Sequence, residues 1–293
     1  MRLREIKSVD EAKFYNAELS LNEAGYRFRG HSDTSWKLLP SVYRYKNFER
    51  YQTTFYESFV LHHKFREPIN HLMTTNYDLE WLMLCQHFQV PTRLLDWSDD
   101  ILIALFFACS DDMCKNGAVF VCNKNEYPLF HDYNQTSMTN DLAFIDTTLK
   151  NPRMRNQNGC FMMWGHVRAP IAFETYNLQE YHTTKSKSFF LDKLIIPSHS
   201  KGNILRELDE IYSISKDSIY LESTKLVETY TPLFRLIKEK SRLMTLMVSD
   251  SAKLSPYEFL VAKSHFRVIL TDMFKGAKGI VADHTFEYVI RDF

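Results

Sequence analysis

Two hydrophobic periods run along this chain, and each marks a class of element. Ser8-Val-Asp-Glu11 has the pattern of a capping box, so a helix is expected over residues 9–19. The stretch Tyr26-Arg-Phe-Arg-Gly30 alternates with period two and predicts a strand. Arg27 and Arg29 then share one face, and Tyr26 and Phe28 share the other. Further on, "NFERYQTTFYESFVLHHKFREPI" has helical spacing ended by Pro68, and Asp78 is placed to cap a second helix through about Phe88. "VPTRLLDWS" reads as a tight turn running into an extended segment. "DDILIALFFACS" carries aspartates in its first turn and is otherwise apolar all round, which predicts a helix buried in the core.

"GAVFVCN", "GCFMMWG" and "LDKLIIP" have the composition of strands. The polar, Asn-rich stretch 124–155 predicts mostly loop with one short helix near Asp141–Leu149. Lys201-Gly-Asn203 reads as the turn before a helix in "NILRELDEI", with another short helix in "STKLVETY". The tail adds "LFRLIKEKSRLMTLMV", a helix opened by Ser255-Pro-Tyr-Glu258 and running to about Phe274, and a last strand in "TFEYVI". The expected class is α+β: twisted, mostly antiparallel sheets flanked by helices. Residues 1–225 are expected to form the main domain, with 226–293 a helical C-terminal extension packed on it.

Composition narrows the chemistry. Of 293 residues 45% are hydrophobic, enough for a substantial core. Lys+Arg and Asp+Glu both total 36, and this neutrality argues against broad electrostatic binding of nucleic acid. The 8 glycines include no GxxxxGK[ST] or GxGxxG phosphate loop. The five cysteines show no C-x-x-C pair, and Cys85 and Cys109 lie in apolar runs that suit buried thiols. No HExxH occurs among the eleven histidines, and His62, His63 and His71 lack companion ligands, so no metal is expected. A GxSxG elbow is missing too. "MRLREIKSVDEAKF" lacks the apolar core of a signal peptide, and the run Ile101–Cys109 falls short of the roughly 20 residues a bilayer needs. A cytoplasmic location without membrane partners is the expectation.

Three segments set polar groups among apolar neighbours. The first holds Arg27, Arg29 and His31. The second, "LCQHFQVPTRLLDWSDD", holds Gln86, His87, Thr92, Arg93, Asp96 and Ser98 around Leu94, Leu95 and Trp97. If 92–98 is extended, Thr92, Asp96 and Ser98 share a face with Leu94, and Arg93 and Trp97 take the other. The third is "NPRMRNQNGCFMMWG", with Arg153, Arg155, Asn156 and Gln157 just ahead of a strand. Taken singly, each has a structural explanation, such as an Arg29–Asp96 or Arg93–Asp96 scaffold ion pair. Clustered at strand ends, they have the make-up of a ligand cleft.

"YRFRGHSDTSWKLLPSVYR", "LEWLMLCQHFQVPTRLLDWSDDILIALFFACS", "GAVFV" and "NPRMRNQNGCF" together resemble the FRG domain, named for its Phe-Arg-Gly triplet, over roughly residues 20–215. The chain departs from that family at Gln89, usually glycine, and at Asp100-Ile101, usually Asn-Pro. The family is widespread in bacteria and phages, and the resemblance implies a setting of phage–host conflict or toxin action. A fainter similarity is to ADP-ribosyltransferases. Arg29-Gly30 on an early strand, "DWS" followed by "ALFFA", and "RNQNG" before a strand match their order.

That similarity implies NAD as substrate, with Arg29 gripping its pyrophosphate bidentately and Asp96 and Gln157 in catalytic positions. Ser98 would meet the ribose, and Trp97 or Phe161 would stack on a ring. Arg27, His31, Gln86, His87, Thr92, Arg93 and Arg155 complete the implied nucleotide contacts. Gln157 stands where a catalytic glutamate is expected, and its neutral amide supplies no charge to a cation-like sugar. Glu174, Glu180 or Asp96 are the candidate substitutes. Two alternatives stay open: a catalytically silent module that senses a nucleotide or phage component, and a nuclease. A protein or nucleic acid is the implied target.

Overall fold

The structure is a computed structural model that describes residues 3–21, 25–41, 83, 86, 92–129, 142–146, 157–164 and 191–220. Two compact units divide the chain. One comprises Met1–Leu39, Leu95–His131 and Thr139–Glu222, the other Pro40–Leu94, Asp132–Met138 and Ser223–Phe293. The helix expected from Asn47 to Pro68, that expected from Asp78 to about Phe88 apart from the helical Met83 and Gln86, those at "STKLVETY" and through the tail, and the extension from 226, lie outside the described residues.

The first unit is built on a seven-stranded sheet. Its strands are β1 (Leu3–Glu5), β2 (Tyr26–His31), β3 (Leu94–Ser98), β4 (Gly117–Asn123), β5 (Leu142–Asp146), β6 (Gly159–Trp164) and β7 (Leu191–Ile196). They lie in the order β1-β7-β4-β2-β3-β6-β5. β1 runs parallel to β7, whereas β2 is antiparallel to β3 and β4, β4 to β7, and β5 to β6. Four helices accompany it among the described residues: α1 (Val9–Ser20), α2 (Ile101–Cys109), α3 (Ser198–Tyr212) and α4 (Lys216–Ile219). This is the mixed α+β architecture that the two periods lead one to expect.

Local chemistry sets the element ends. Ser8 Oγ accepts from the Glu11 N–H at 3.2 Å, and the Glu11 carboxylate reaches back to the Lys7 N–H at 2.7 Å. The first contact satisfies a donor that the first turn of α1 leaves open, and the second holds the residue just ahead of the cap. Asp100 caps α2 through the Leu102 N–H at 2.8 Å. α2 buries Ile101, Ile103, Ala104, Leu105, Phe106, Ala108 and Cys109, and packs in one core with Phe28, Val119, Val121, Leu194 and Ile204. Each large aliphatic or aromatic side chain so buried contributes about 1.5–3 kcal/mol.

Two glycines let α2 lie on the sheet. A Cβ on Gly30 would collide with the Ala104 carbonyl oxygen, and one on Gly117 with the Ala108 carbonyl oxygen. The glycine of the Phe-Arg-Gly triplet is therefore a packing requirement. With Tyr26, Phe28 and Gly30 turned toward α2, Arg27, Arg29 and His31 fall on the opposite face.

Leu129, beyond β4, bridges Phe144 of β5, and the Phe144 N–H donates to the Pro128 carbonyl at 2.9 Å. The segment after β4 thus lies against β5, the last strand of the sheet.

Two expectations are corrected. In place of the short helix expected near Asp141–Leu149, residues 142–146 form the strand β5, whose Leu142, Ala143, Phe144 and Ile145 are all buried. A short apolar run takes either form, and pairing with β6 on both-sided burial decides it. Lys201-Gly-Asn203 is no turn either, because α3 begins at Ser198, directly after Pro197. Lys201, Ile204 and Leu208 form its buried stripe, so the helix extends a turn earlier than its apolar residues alone suggest.

Candidate functional site

The two arginines of β2 have different fates. Arg27 is buried, pairs with Asp99 at 3.1 Å and lays its guanidinium 4.3 Å from the centre of the Phe144 ring of β5. Trp97 and Tyr127 meet the same Phe144 edge-on. Arg29 reaches the surface, with 14% of its side chain exposed. Its Nη1 donates to the Asp96 carbonyl at 2.6 Å and lies 3.6 Å from the Asp96 carboxylate, half of which is in solvent. Its Nε donates to His31 Nε2 at 2.9 Å.

That contact fixes the tautomer of His31. Nε2 accepts from a permanent cation, so the ring proton sits on Nδ1, which donates to the Trp36 carbonyl at 3.3 Å. The imidazole is buried and edge-on to Phe120, 5.2 Å between ring centres. Across the sheet, Arg29 pairs in register with Phe120, and Phe120 with Lys193. Lys193 Nζ rests 5.3 Å from the Phe120 ring centre and donates to the Thr34 carbonyl at 2.8 Å. Burial holds its ammonium below the ordinary lysine pKa. Two cations therefore flank one aromatic on this face, with the loop 32–38 laid against it.

The loop is strongly tied. The Thr34 N–H donates to the Asn116 carbonyl at 2.9 Å, and Asp33 accepts from the Ser35 N–H at 2.8 Å and from Lys115 Nζ at 2.6 Å. Lys115 and the Ser35 donors hold the Asp33 carboxyl well below the usual carboxylate range. Lys201, fully buried, donates to the carbonyls of Ser32 at 2.7 Å, Asp111 at 3.1 Å and Asp112 at 3.0 Å. Burial lowers its pKa as well. Cys109 sits nearby with its thiol pushed up to about 12 by burial, so it is no nucleophile at neutral pH.

Ser98 and Gln157 come together. Ser98 Oγ donates to the Gln157 carbonyl at 2.8 Å and accepts from the Asp100 N–H at 3.0 Å, while the Gln157 amide donates to the Ile219 carbonyl at 3.4 Å. The Asp99 N–H adds a bond to the Asn158 carbonyl at 3.0 Å. The Ser98 hydroxyl and the Asp99 N–H thereby tie the end of β3 to the turn before β6, while the Gln157 side chain reaches α4. Trp97 and Phe161 are buried, at 3% and 1% exposure.

In the second unit Thr92 Oγ1 donates to Gln86 Oε1 at 2.6 Å and accepts from the Leu94 N–H at 3.1 Å. The Thr92 N–H donates to Ser41 Oγ at 3.1 Å. Arg93 is fully buried there. His87, Arg155, Glu174 and Glu180 lie outside the described residues.

A pocket of about 480 Å³ opens elsewhere, lined by Phe106, Asp111, Leu205, Asp209, Lys216 and Tyr220 among others, and none of the nominated residues borders it. Among the described residues no group of His, Cys, Asp or Glu is placed to hold a metal ion, and no helix is long and apolar enough to cross a membrane.

Sequence reasoning passed over Trp36, Asp33, Lys193 and Lys201. The last had a legible signal: a lysine three and seven residues before Ile204 and Leu208 stands on the buried stripe of α3.

No curated protein and no solved structure matches this chain. The stretch holding β2, the tied loop, β3 and α2 does match a family model: residues 24–117 are similar to the FRG domain.

Proposed function

We propose that the Arg29 face binds NAD or a related nucleotide, and that the protein transfers ADP-ribose from NAD or hydrolyses it, in a phage–host conflict or toxin setting. The observation that carries this reading is the surface position of a planar guanidinium already held in orientation. Arg29 is braced by His31 Nε2 and the Asp96 carbonyl, 3.6 Å from a half-exposed carboxylate. A braced fork loses little freedom when it takes up a phosphate.

The chemistry assigns Asp96 the electrostatic role. In NAD cleavage the bond between the nicotinamide nitrogen and ribose C1′ breaks, and its electron pair leaves with nicotinamide. The sugar becomes cation-like, and water or a target nucleophile then attacks C1′ and loses a proton. A nearby carboxylate stabilises that cation. Gln157 supplies no charge, and its amide is occupied by the Ile219 carbonyl, which supports Asp96 over the position that similarity alone suggests.

The same engagement of Gln157 favours a second reading, a silent module that binds a nucleotide through Arg29 without turning it over. Incubation with NAD separates the two. The enzyme releases nicotinamide or labels a target, and Asp96→Asn lowers that rate at least tenfold with binding kept. The silent module binds NAD and releases nothing. Absence of NAD binding removes both.

A further inference from the structure

Trp36 is a large hydrophobic left 48% exposed beside the Arg29–His31 pair. A single exposed tryptophan is ordinary. This one is not held ordinarily, because the backbone around it is pinned from several elements. Lys201 of α3 holds the Ser32 carbonyl and Lys193 of β7 holds the Thr34 carbonyl. The Thr34 N–H is held by Asn116, the Trp36 N–H by the Asp33 carbonyl at 3.2 Å, and the Trp36 carbonyl by His31 Nδ1. Asp33 is clamped in turn by Lys115.

The indole therefore projects from a rigid loop, with its ring 6.0 Å from the His31 ring that braces Arg29. Large, stiff aromatic area presented without an ordering cost is the physical basis of a stacking platform. Trp97 and Phe161 are buried and present no face to a ligand. We infer that Trp36 is the stacking platform for the flat base of a nucleotide whose phosphate sits on Arg29. This rests on the nucleotide reading of the Arg29 face and adds a residue and a ligand part to it: an aromatic heterocycle, next to the phosphate.

The test is calorimetric titration of the full chain with ADP-ribose and with pyrophosphate, which lacks a base. It uses wild type, Trp36→Ala, Trp36→Phe and Arg29→Ala, with thermal melts recorded beside each. Stacking on an aromatic face is worth roughly 5- to 150-fold in affinity per base. Trp36→Ala is expected to weaken ADP-ribose binding about tenfold and leave pyrophosphate binding unchanged, with Trp36→Phe intermediate. Arg29→Ala weakens both. If Trp36→Ala binds ADP-ribose like wild type while Arg29→Ala does not, the platform is overturned and the anchor stands. Equal weakening of both ligands by Trp36→Ala also overturns it, as loss of loop rigidity would act on the phosphate too. If wild type binds neither ligand, platform and nucleotide reading fall together.

Discussion

At the scale of single residues, neighbours on one strand face carry different loads. Arg27 and Arg29 look equivalent in the sequence, yet Arg27 is walled in by Phe144 and Asp99 while Arg29 reaches solvent. That divergence was not legible, because Phe144 lies in the segment whose pattern suggested a helix. Without β5 in place there is nothing for Arg27 to stack on. Arg27→Ala should therefore lower stability by about 2–5 kcal/mol in urea unfolding, through the cavity left by its buried side chain and the lost stacking on Phe144, Asp99 being half in water. Arg29→Ala should lower it by only about 1 kcal/mol, its carboxylate partner being half in water. Asp33 gives a pH test. Its folded-state pKa lies below the ordinary carboxylate value, so its contribution is present above about pH 4 and fades as pH falls further. Asp33→Asn should be less stable than wild type at pH 7, with the gap narrowing in melts taken below pH 4.

At the scale of elements, β2, β3, β4, β6, β7, α1 and α2 could be read from period, caps and breakers, because their apolar pattern and their burial agree. β5 and the first turn of α3 could not, since partners distant in sequence decide them. α2 shows what the Phe-Arg-Gly glycine does: it clears the Ala104 carbonyl. Gly30→Ala should cost about 1–3 kcal/mol in denaturant unfolding, the usual range for overpacking. A variant as stable as wild type would mean that α2 does not approach β2 as described. The candidate site was legible in part. Arg29, His31 and Asp96 are brought together, while Ser98 and the Gln157 carbonyl serve as a strand-end tie, a role that depends on where the turn before β6 passes.

At the scale of the molecule, equal numbers of basic and acidic residues leave no broad positive field. Cations are used locally instead. Lys193 and Lys201 are turned to backbone carbonyls, where they fix the loop beside Arg29. Plasmid and RNA incubated with the protein test the nuclease alternative, and the account predicts that both remain intact on gels. The match to the FRG domain family at residues 24–117 spans the surface arginine, the tied loop and the carboxylate strand in one stretch. The most direct test of the account is NAD titration of wild type, Arg29→Lys and Arg29→Ala, each checked by melting. Saturable binding to wild type, weakened about tenfold by the lysine that lacks the planar fork and lost with alanine while the fold survives, is the predicted result. Binding that ignores Arg29, or no binding by the folded wild type, would contradict it.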